Sequence, residues 1–198
     1  HRSRMSRFKR AMSRPIVVIV TGPPGAGKTG LGKRLARELE LPFISKDDIK
    51  ELLFEALGWE DRDWSKKLGQ ASFELLFHFL ECHVAAAKSL VVETAFIPEF
   101  HNARFSELRE KYGFEPVQIV CSACEEVLYK RFVDRCTSGE RHPGHVDHLT
   151  TYDQFVGILE TRKYEALETA GALLIVDTTN FEQVDHEGLV EAVRALQH

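Results

Sequence analysis

The 198-residue chain has only four cysteines, Cys82, Cys121, Cys124 and Cys136, too few for a disulfide scaffold at this length. No apolar run approaches the ~18 residues of a membrane-spanning helix, and the N-terminal residues lack the apolar core of a signal peptide. The expectation is a cytoplasmic protein with reduced thiols. Cys121-Ser-Ala-Cys124 has the spacing of a metal or redox pair, and His142, His145 and His148 follow. No second CxxC accompanies it, however, and Cys121 closes an apolar run, so buried thiols are favoured over zinc. Acidic residues are absent from residues 1–15, which hold Arg2, Arg4, Arg7, Lys9, Arg10 and Arg14. Residues 1–14 read as a basic, disordered leader, partly tag-derived, since His1-Arg2-Ser3-Arg4 precedes the first methionine. The rest of the chain carries 20 basic against 30 acidic residues. Such an acidic body is a poor match for long nucleic acid and argues for a small-molecule partner.

What is present describes one ordinary globular domain over residues 15–198, with 43% hydrophobic and 28% charged residues. Apolar runs alternate with helical periodicity, which predicts an α/β layered sheet. Strands are expected at 16–20, 41–44, 90–93, 117–121 and 173–176. Helices are expected at about 28–40, from 46 to Gly58, at 64–88, 98–112, 125–137, 151–168 and 183–197. Ser45 and Asp48 form a capping-box-like pair at the start of the second helix. Gly113 is the expected C′ residue of the fourth. The polar stretch from Thr137 to Thr150, with Gly139, Pro143 and Gly144, reads as a mobile loop.

The most informative stretch is Gly22-Pro23-Pro24-Gly25-Ala26-Gly27-Lys28-Thr29, a full match to G-x-x-x-x-G-K-[ST]. It follows a buried-strand pattern and opens the helix at about 28–40, so an anion would sit at a helix N-terminus, with Gly30 among the residues around it. The glycines let successive N–H groups turn toward a triphosphate. Lys28 reaches the β- and γ-phosphates of ATP, and the Thr29 hydroxyl ligates Mg²⁺.

In parallel sheets ligands bind beyond the carboxyl ends of the strands. Residues at those positions are Asp47 and Asp48, Glu93 and Thr94, Ser122, and Asp177 to Asn180. Acids on the rim that carries the phosphate loop suit phosphoryl transfer. Asp47 is the candidate to orient an acceptor hydroxyl and accept its proton. Glu93 is the candidate for a Mg²⁺-water contact or for acceptor binding. Arg131 and Arg135, four residues apart on one helix face, and Arg141 in the loop beyond read as lid arginines that offset charge on the transferred group. Trp59, Trp64, Phe73 and Phe77 are candidate apolar walls of an acceptor pocket.

The combination of the phosphate loop, Ser45-Lys-Asp-Asp-Ile-Lys50, Glu93-Thr-Ala-Phe96 and Arg131-x-x-x-Arg135 resembles the P-loop kinase group of small AAA-type ATP-binding proteins. That group is similar to the kinase domain of polynucleotide kinases, zeta toxins and chloramphenicol phosphotransferase. The resemblance implies a three-layer P-loop fold with a five-stranded parallel sheet in the order 2-3-1-4-5 and a mobile lid. It implies ATP and Mg²⁺ as cofactors, Asp47 as base, Lys50 as acceptor ligand and Arg135 on the nucleotide. It also implies that Thr178, in the exit of the fifth strand, packs near adenine. Lysine at position 50, where polynucleotide kinases have arginine, loses bidentate phosphate recognition. A kinase of a small hydroxyl-bearing molecule is therefore expected, with a polynucleotide 5′-hydroxyl as the alternative acceptor. A regulatory ATPase or switch module is the alternative class.

Overall fold

The fold is given by a computed structural model that describes residues 14–139, 141–162, 164–169 and 171–197. Most of the expected basic leader, residues 1–13, lies outside the described residues. Five strands, β1 (Ile16–Thr21), β2 (Phe43–Ser45), β3 (Leu90–Glu93), β4 (Glu115–Ser122) and β5 (Ala172–Asp177), form one sheet in the order β2-β3-β1-β4-β5. Every pairing is parallel. The expected order and strand polarity are thus those of the structure. Among the described residues seven helices surround the sheet: α1 (Lys28–Glu38), α2 (Lys46–Leu57), α3 (Arg62–Ala85), α4 (Pro98–Tyr112), α5 (Glu125–Thr137), α6 (Tyr152–Thr161) and α7 (His186–Ala195).

β1 is buried along its whole length, and its alternate residues feed two cores. Ile16, Val18 and Val20 pack with Leu31 and Leu35 of α1, Phe132 of α5 and Val193 of α7. Val17 and Ile19 face the other way, onto Leu76 and Leu80 of α3 and Phe105 of α4. Parallel registry brings Ser45, Glu93 and Val20 side by side at the carboxyl ends of three strands. That edge is where β1 lies between β3 and β4, and it positions the site.

Three local departures have physical causes. The helix expected to run through residue 168 stops at Thr161. Beyond it the buried Gln118 side chain clamps the backbone, accepting from Leu167 N at 2.6 Å and donating to Leu167 O at 2.9 Å. Leu167 is thereby tucked into the α3/α4 core. Ser45 takes the N-cap backbone conformation, but its hydroxyl makes no cap bond. It donates instead to Glu93 Oε2 at 2.8 Å, a charged acceptor stronger than any competing neutral group. Asp48, the other half of the expected capping box, pairs with Lys33 at 3.3 Å.

The stretch expected as a mobile loop is folded into two short 3₁₀ turns, Pro143–His145 docked on α2 and α3, and Asp147–Leu149 on α5. His142 stacks on the Phe54 ring at 4.9 Å, and His145 meets its edge at 5.2 Å. Their Nε2 atoms pair with Glu55 and Glu51 at 3.1 and 3.0 Å. Gly144 N donates to His142 Nδ1, which assigns the His142 proton to Nε2. A Cβ on Gly144 would stand 2.9 Å from the Phe54 ring, so only glycine allows so close a seat.

Candidate active site

The phosphate loop holds a shape that only its glycines permit. Gly22, Gly25 and Gly27 have φ of 139°, 82° and 73°. A Cβ on Gly22 would lie 2.2 Å from Cys121 O, and one on Gly25 2.4 Å from Leu128 O. The loop is braced from behind by Thr178, fully buried, whose hydroxyl lies 2.9 Å from Ala26 O and 2.8 Å from Ser122 O. Lys28 Nζ, which carries the charge meant for an anion, donates to Pro23 O at 2.8 Å. Desolvation lowers the Lys28 pKa, opposed by the fields of Glu93 and Asp47.

Beside Lys28, Glu93 Oε2 accepts from Thr29 Oγ1 at 3.1 Å and from Ser45 Oγ at 2.8 Å. Burial raises the Glu93 carboxyl, and the fields of Lys28 and the two hydroxyl donors only partly oppose it. This donor set of a hydroxyl and a buried carboxylate hydrogen-bonded to two neutral hydroxyls fits a hydrated divalent cation of the Mg²⁺ type. Among the described residues no cluster of three or more His, Cys, Asp or Glu side chains could hold a metal by itself. An oxygen-poor protein shell of this kind suits an ion that keeps its waters and shares phosphate oxygens.

Asp47, at the start of α2, is gripped by cations. Arg141 Nη1 donates to Asp47 Oδ2 at 2.6 Å, and Lys46 Nζ lies 3.3 Å from Oδ1. Burial alone would push this carboxyl up, but Arg141 and Lys46 outweigh it and hold it well below the usual carboxylate range. Arg141 also donates from Nε to Asp147 Oδ2 at 2.9 Å, so the two turns of the lid are tied to α2 through one guanidinium. The two acids raise the Arg141 pKa against the effect of its burial.

These groups line one cavity of about 700 Å³. Pro24, Lys28, Thr29, Glu93, Asp47, Arg135 and Arg141 form its polar, phosphate-loop side, and Phe73, Phe77, Ile97, Phe100 and His101 line it as well. Arg135 lines the cavity with a buried Nε that has no partner among the described residues. An orphaned buried donor of this kind awaits an acceptor.

The sequence-based family model described as AAA domain, AAA_33, matches residues 17–156, most of the chain and the whole of this rim from the phosphate loop through the lid. The chain belongs to the AAA_33 family. This is a P-loop kinase family, as the motifs implied. The AAA_33 domain is similar to a solved structure of a candidate kinase from Chloroflexus aurantiacus, with 36% identity, a TM-score of 0.86, and coverage of 92% of this chain and 98% of that one. A shikimate kinase of Corynebacterium efficiens is 46% identical over 77 residues, 38% of this chain and 41% of that protein. The chain thus spans about two fifths of the length of the curated shikimate kinases it matches. A shikimate kinase structure from Bacteroides thetaiotaomicron shares the fold at 20% identity and a TM-score of 0.56, covering 92% and 97% of the two chains.

Within the AAA_33 domain the expected site residues divide into those brought together and those set apart. Lys28, Thr29, Asp47, Glu93, Arg135 and Arg141 converge on the cavity. Lys50 does not reach it, and the acceptor-ligand role drawn from resemblance is corrected. Its Nζ is buried behind Asp47, donates to Ser65 Oγ at 2.8 Å and lies 5.2 Å from the Phe54 ring centre. Burial, aided by the charge of Lys46, lowers its pKa to about 8. Arg131 also leaves the phosphate region. It donates from Nη2 to Thr178 O and Thr179 O at 2.9 and 3.2 Å, which turns it toward the exit of β5. Thr178 supports the loop backbone through a hydroxyl with no exposure to the cavity. Gly30, open on α1, has only the Phe181 ring near its side-chain position. Of the four aromatics expected as acceptor walls, Phe73 and Phe77 line the cavity, whereas Trp59 and Trp64 do not. Trp64 Nε1 instead bonds Gly58 O at 3.0 Å.

Sequence reasoning missed Ser45 as a Glu93 ligand, Asp147 as the second acid on Arg141, and Gln70, Arg104, Arg162 and Tyr164 in the lining. Charge patterning shows only that the basic members exist, since sequence spacing does not encode which helix face meets a cavity.

Among the described residues no helix is long and apolar enough to cross a membrane.

Proposed function

We propose that the protein, over residues 15–198, is an ATP- and Mg²⁺-dependent kinase that transfers the γ-phosphoryl group to a hydroxyl of a small molecule. The observation that carries this reading is the single cavity in which Lys28, Thr29 and Glu93 adjoin Asp47, while an aromatic-walled space continues beyond them. An ATPase switch needs the first part and has no use for the second. The matched kinase relatives support the same reaction class.

In this reading the loop N–H groups and Lys28 hold the β- and γ-phosphates, with Lys28 exchanging Pro23 O for a phosphate oxygen. Thr29 and Glu93 are the residues that would hold Mg²⁺, which when bound would supply charge neutralisation on the phosphates. Arg135 places its orphaned Nε on the transferred group. Asp47 aligns the acceptor hydroxyl and takes its proton, once Arg141 shifts its Nη1 bond from the carboxylate to phosphate oxygen. Polynucleotide as acceptor finds little support, because Lys50 is buried and the body is acidic.

Incubation with ATP, Mg²⁺ and a library of hydroxylated metabolites tests the reading by ADP release. Acceptor-dependent release is expected. Slow, acceptor-independent hydrolysis that responds only to a protein partner would establish the switch instead.

A further inference from the structure

Two arginines in the lining, Arg104 and Arg162, stand outside the groups assigned above to the nucleotide. Arg104, on α4, lies with its guanidinium carbon 4.8 Å from the centre of the Phe77 ring. Its Nη1 donates to Glu74 Oε2 at 2.8 Å. The Phe77 ring supports the guanidinium plane from one face. Its Nε and Nη2 have no protein acceptor among the described residues. Glu74 is 70% exposed, so water competes for it and its hold on Arg104 is weak. Arg162, in the segment after α6, lines the same cavity beside Tyr164, whose hydroxyl feels the Arg162 charge.

The other charges in the cavity are already committed. Arg141 and Lys46 are held by Asp47 and Asp147, Glu93 by two hydroxyls, and Lys28 and Arg135 face the phosphate loop's ligand. The part left for the acceptor is therefore an aromatic floor of Phe73 and Phe77 with Arg104, Arg162 and Tyr164 supplying donors. A neutral polyol would need acceptors there, and Glu74 and Gln70 are the main ones among the lining side chains. A carboxylate or phosphate would match the open Arg104 edge in bidentate fashion, with Arg162 and Tyr164 beside it in the same lining.

We propose that the acceptor bears an oxyanion, a carboxylate or a phosphate, besides the hydroxyl that is phosphorylated, and that Arg104 reads it together with Arg162. The proposal rests on the kinase reading for its hydroxyl but not for its anion, so the two are separable by experiment.

The test is binding to the full-length chain saturated with Mg²⁺ and a non-hydrolysable ATP analogue, which fills the phosphate loop. Two matched probe sets are titrated by calorimetry or ligand-observed NMR: glycerol, D-glycerate and glycerol 3-phosphate, then myo-inositol, quinate and myo-inositol 1-phosphate. At least one charged member is expected to bind about tenfold or more tightly than its neutral counterpart, as for hydrogen bonds to charged groups. The carboxylate and phosphate arms decide which oxyanion is read. Arg104→Gln should reduce that preference to under threefold with the melting temperature and analogue affinity unchanged, and Arg104→Lys should restore it only in part. Equal binding of charged and neutral members, an undiminished preference in Arg104→Gln, or no oxyanion binding at millimolar concentration would overturn the proposal. Oxyanion preference without acceptor-dependent ADP release in any probe would count against the kinase reading alone.

Discussion

Arg141 and Asp47 lie 94 residues apart in sequence and meet at 2.6 Å. The contact fastens the lid turns to the first turn of α2 and covers the carboxylate proposed to act on the acceptor. Removing it leaves two acids, Asp47 and Asp147, facing each other without their shared cation. Arg141→Gln is expected to cost ~1.5–3 kcal/mol at pH 7, the range for hydrogen bonds to charged groups. The sign with pH follows from Asp47, whose folded pKa lies well below its unfolded value near 3.8. That contribution is complete above the unfolded pKa and is lost as pH falls through the folded one. Urea unfolding should therefore show a wild-type advantage at pH 7 that shrinks below pH 4; an advantage independent of pH would break the link to Asp47.

Asp47→Asn keeps the shape and removes the charge. Turnover with the acceptor, once known, should fall by ~10²–10⁴, the usual contribution of a positioned base. ATP affinity should move by less than threefold, because Lys28 and the loop amides hold the phosphates. Steady-state kinetics with a parallel nucleotide titration decides this, and undiminished kcat would remove Asp47 from the role.

Lys50 is a buried ammonium whose partners, the Ser65 hydroxyl and the Phe54 ring, are neutral. Its pKa falls from 10.5 in the open chain to about 8. Between these values the unfolded chain binds more protons than the folded one, so stability from this group rises as pH climbs from 8 to 10.5. Lys50→Met, of similar volume and without charge, should raise the melting temperature at pH 7, and the gain should fade toward pH 10. A constant difference across that interval would mean that packing, and not the charge, sets the effect.

Gly25→Ala places a methyl where the Leu128 carbonyl stands, at a φ of 82°. The left-handed conformation alone costs ~1–2 kcal/mol, and the clash adds to it. Thermal melts should drop by at least ~2–8 °C on the scale for a domain of this size, with nucleotide binding lost or sharply weakened. Wild-type behaviour in both would show that the loop relaxes without cost.

The sheet was readable from sequence because buried parallel strands are continuous apolar runs, and Ile16–Val20, Leu90–Val92 and Val117–Cys121 stand out from their surroundings. The phosphate loop was readable because its chemistry is local. Lys50 was misread because resemblance transfers a position along the chain, whereas access to the cavity depends on which side of α2 each residue occupies. Asp47 and Lys50 are three residues apart, yet Ser65 and Phe54 draw the lysine behind the carboxylate it was expected to assist. The end of α6 was misread for a related reason. The clamp that ends its continuation comes from Gln118, 49 residues earlier, and no local pattern announces it.

The brace behind the phosphate loop has a consequence for how the molecule comes into being. Ala26 is held by Thr178, 152 residues later, and Phe181 closes over Gly27. A nascent chain emerging from the ribosome exposes its nucleotide-binding motif well before the brace for it, which comes only with β5 and the turn beyond. Support for the nucleotide-binding loop thus waits on residues 172–181, and a chain cut short before residue 172 would carry the motif without it.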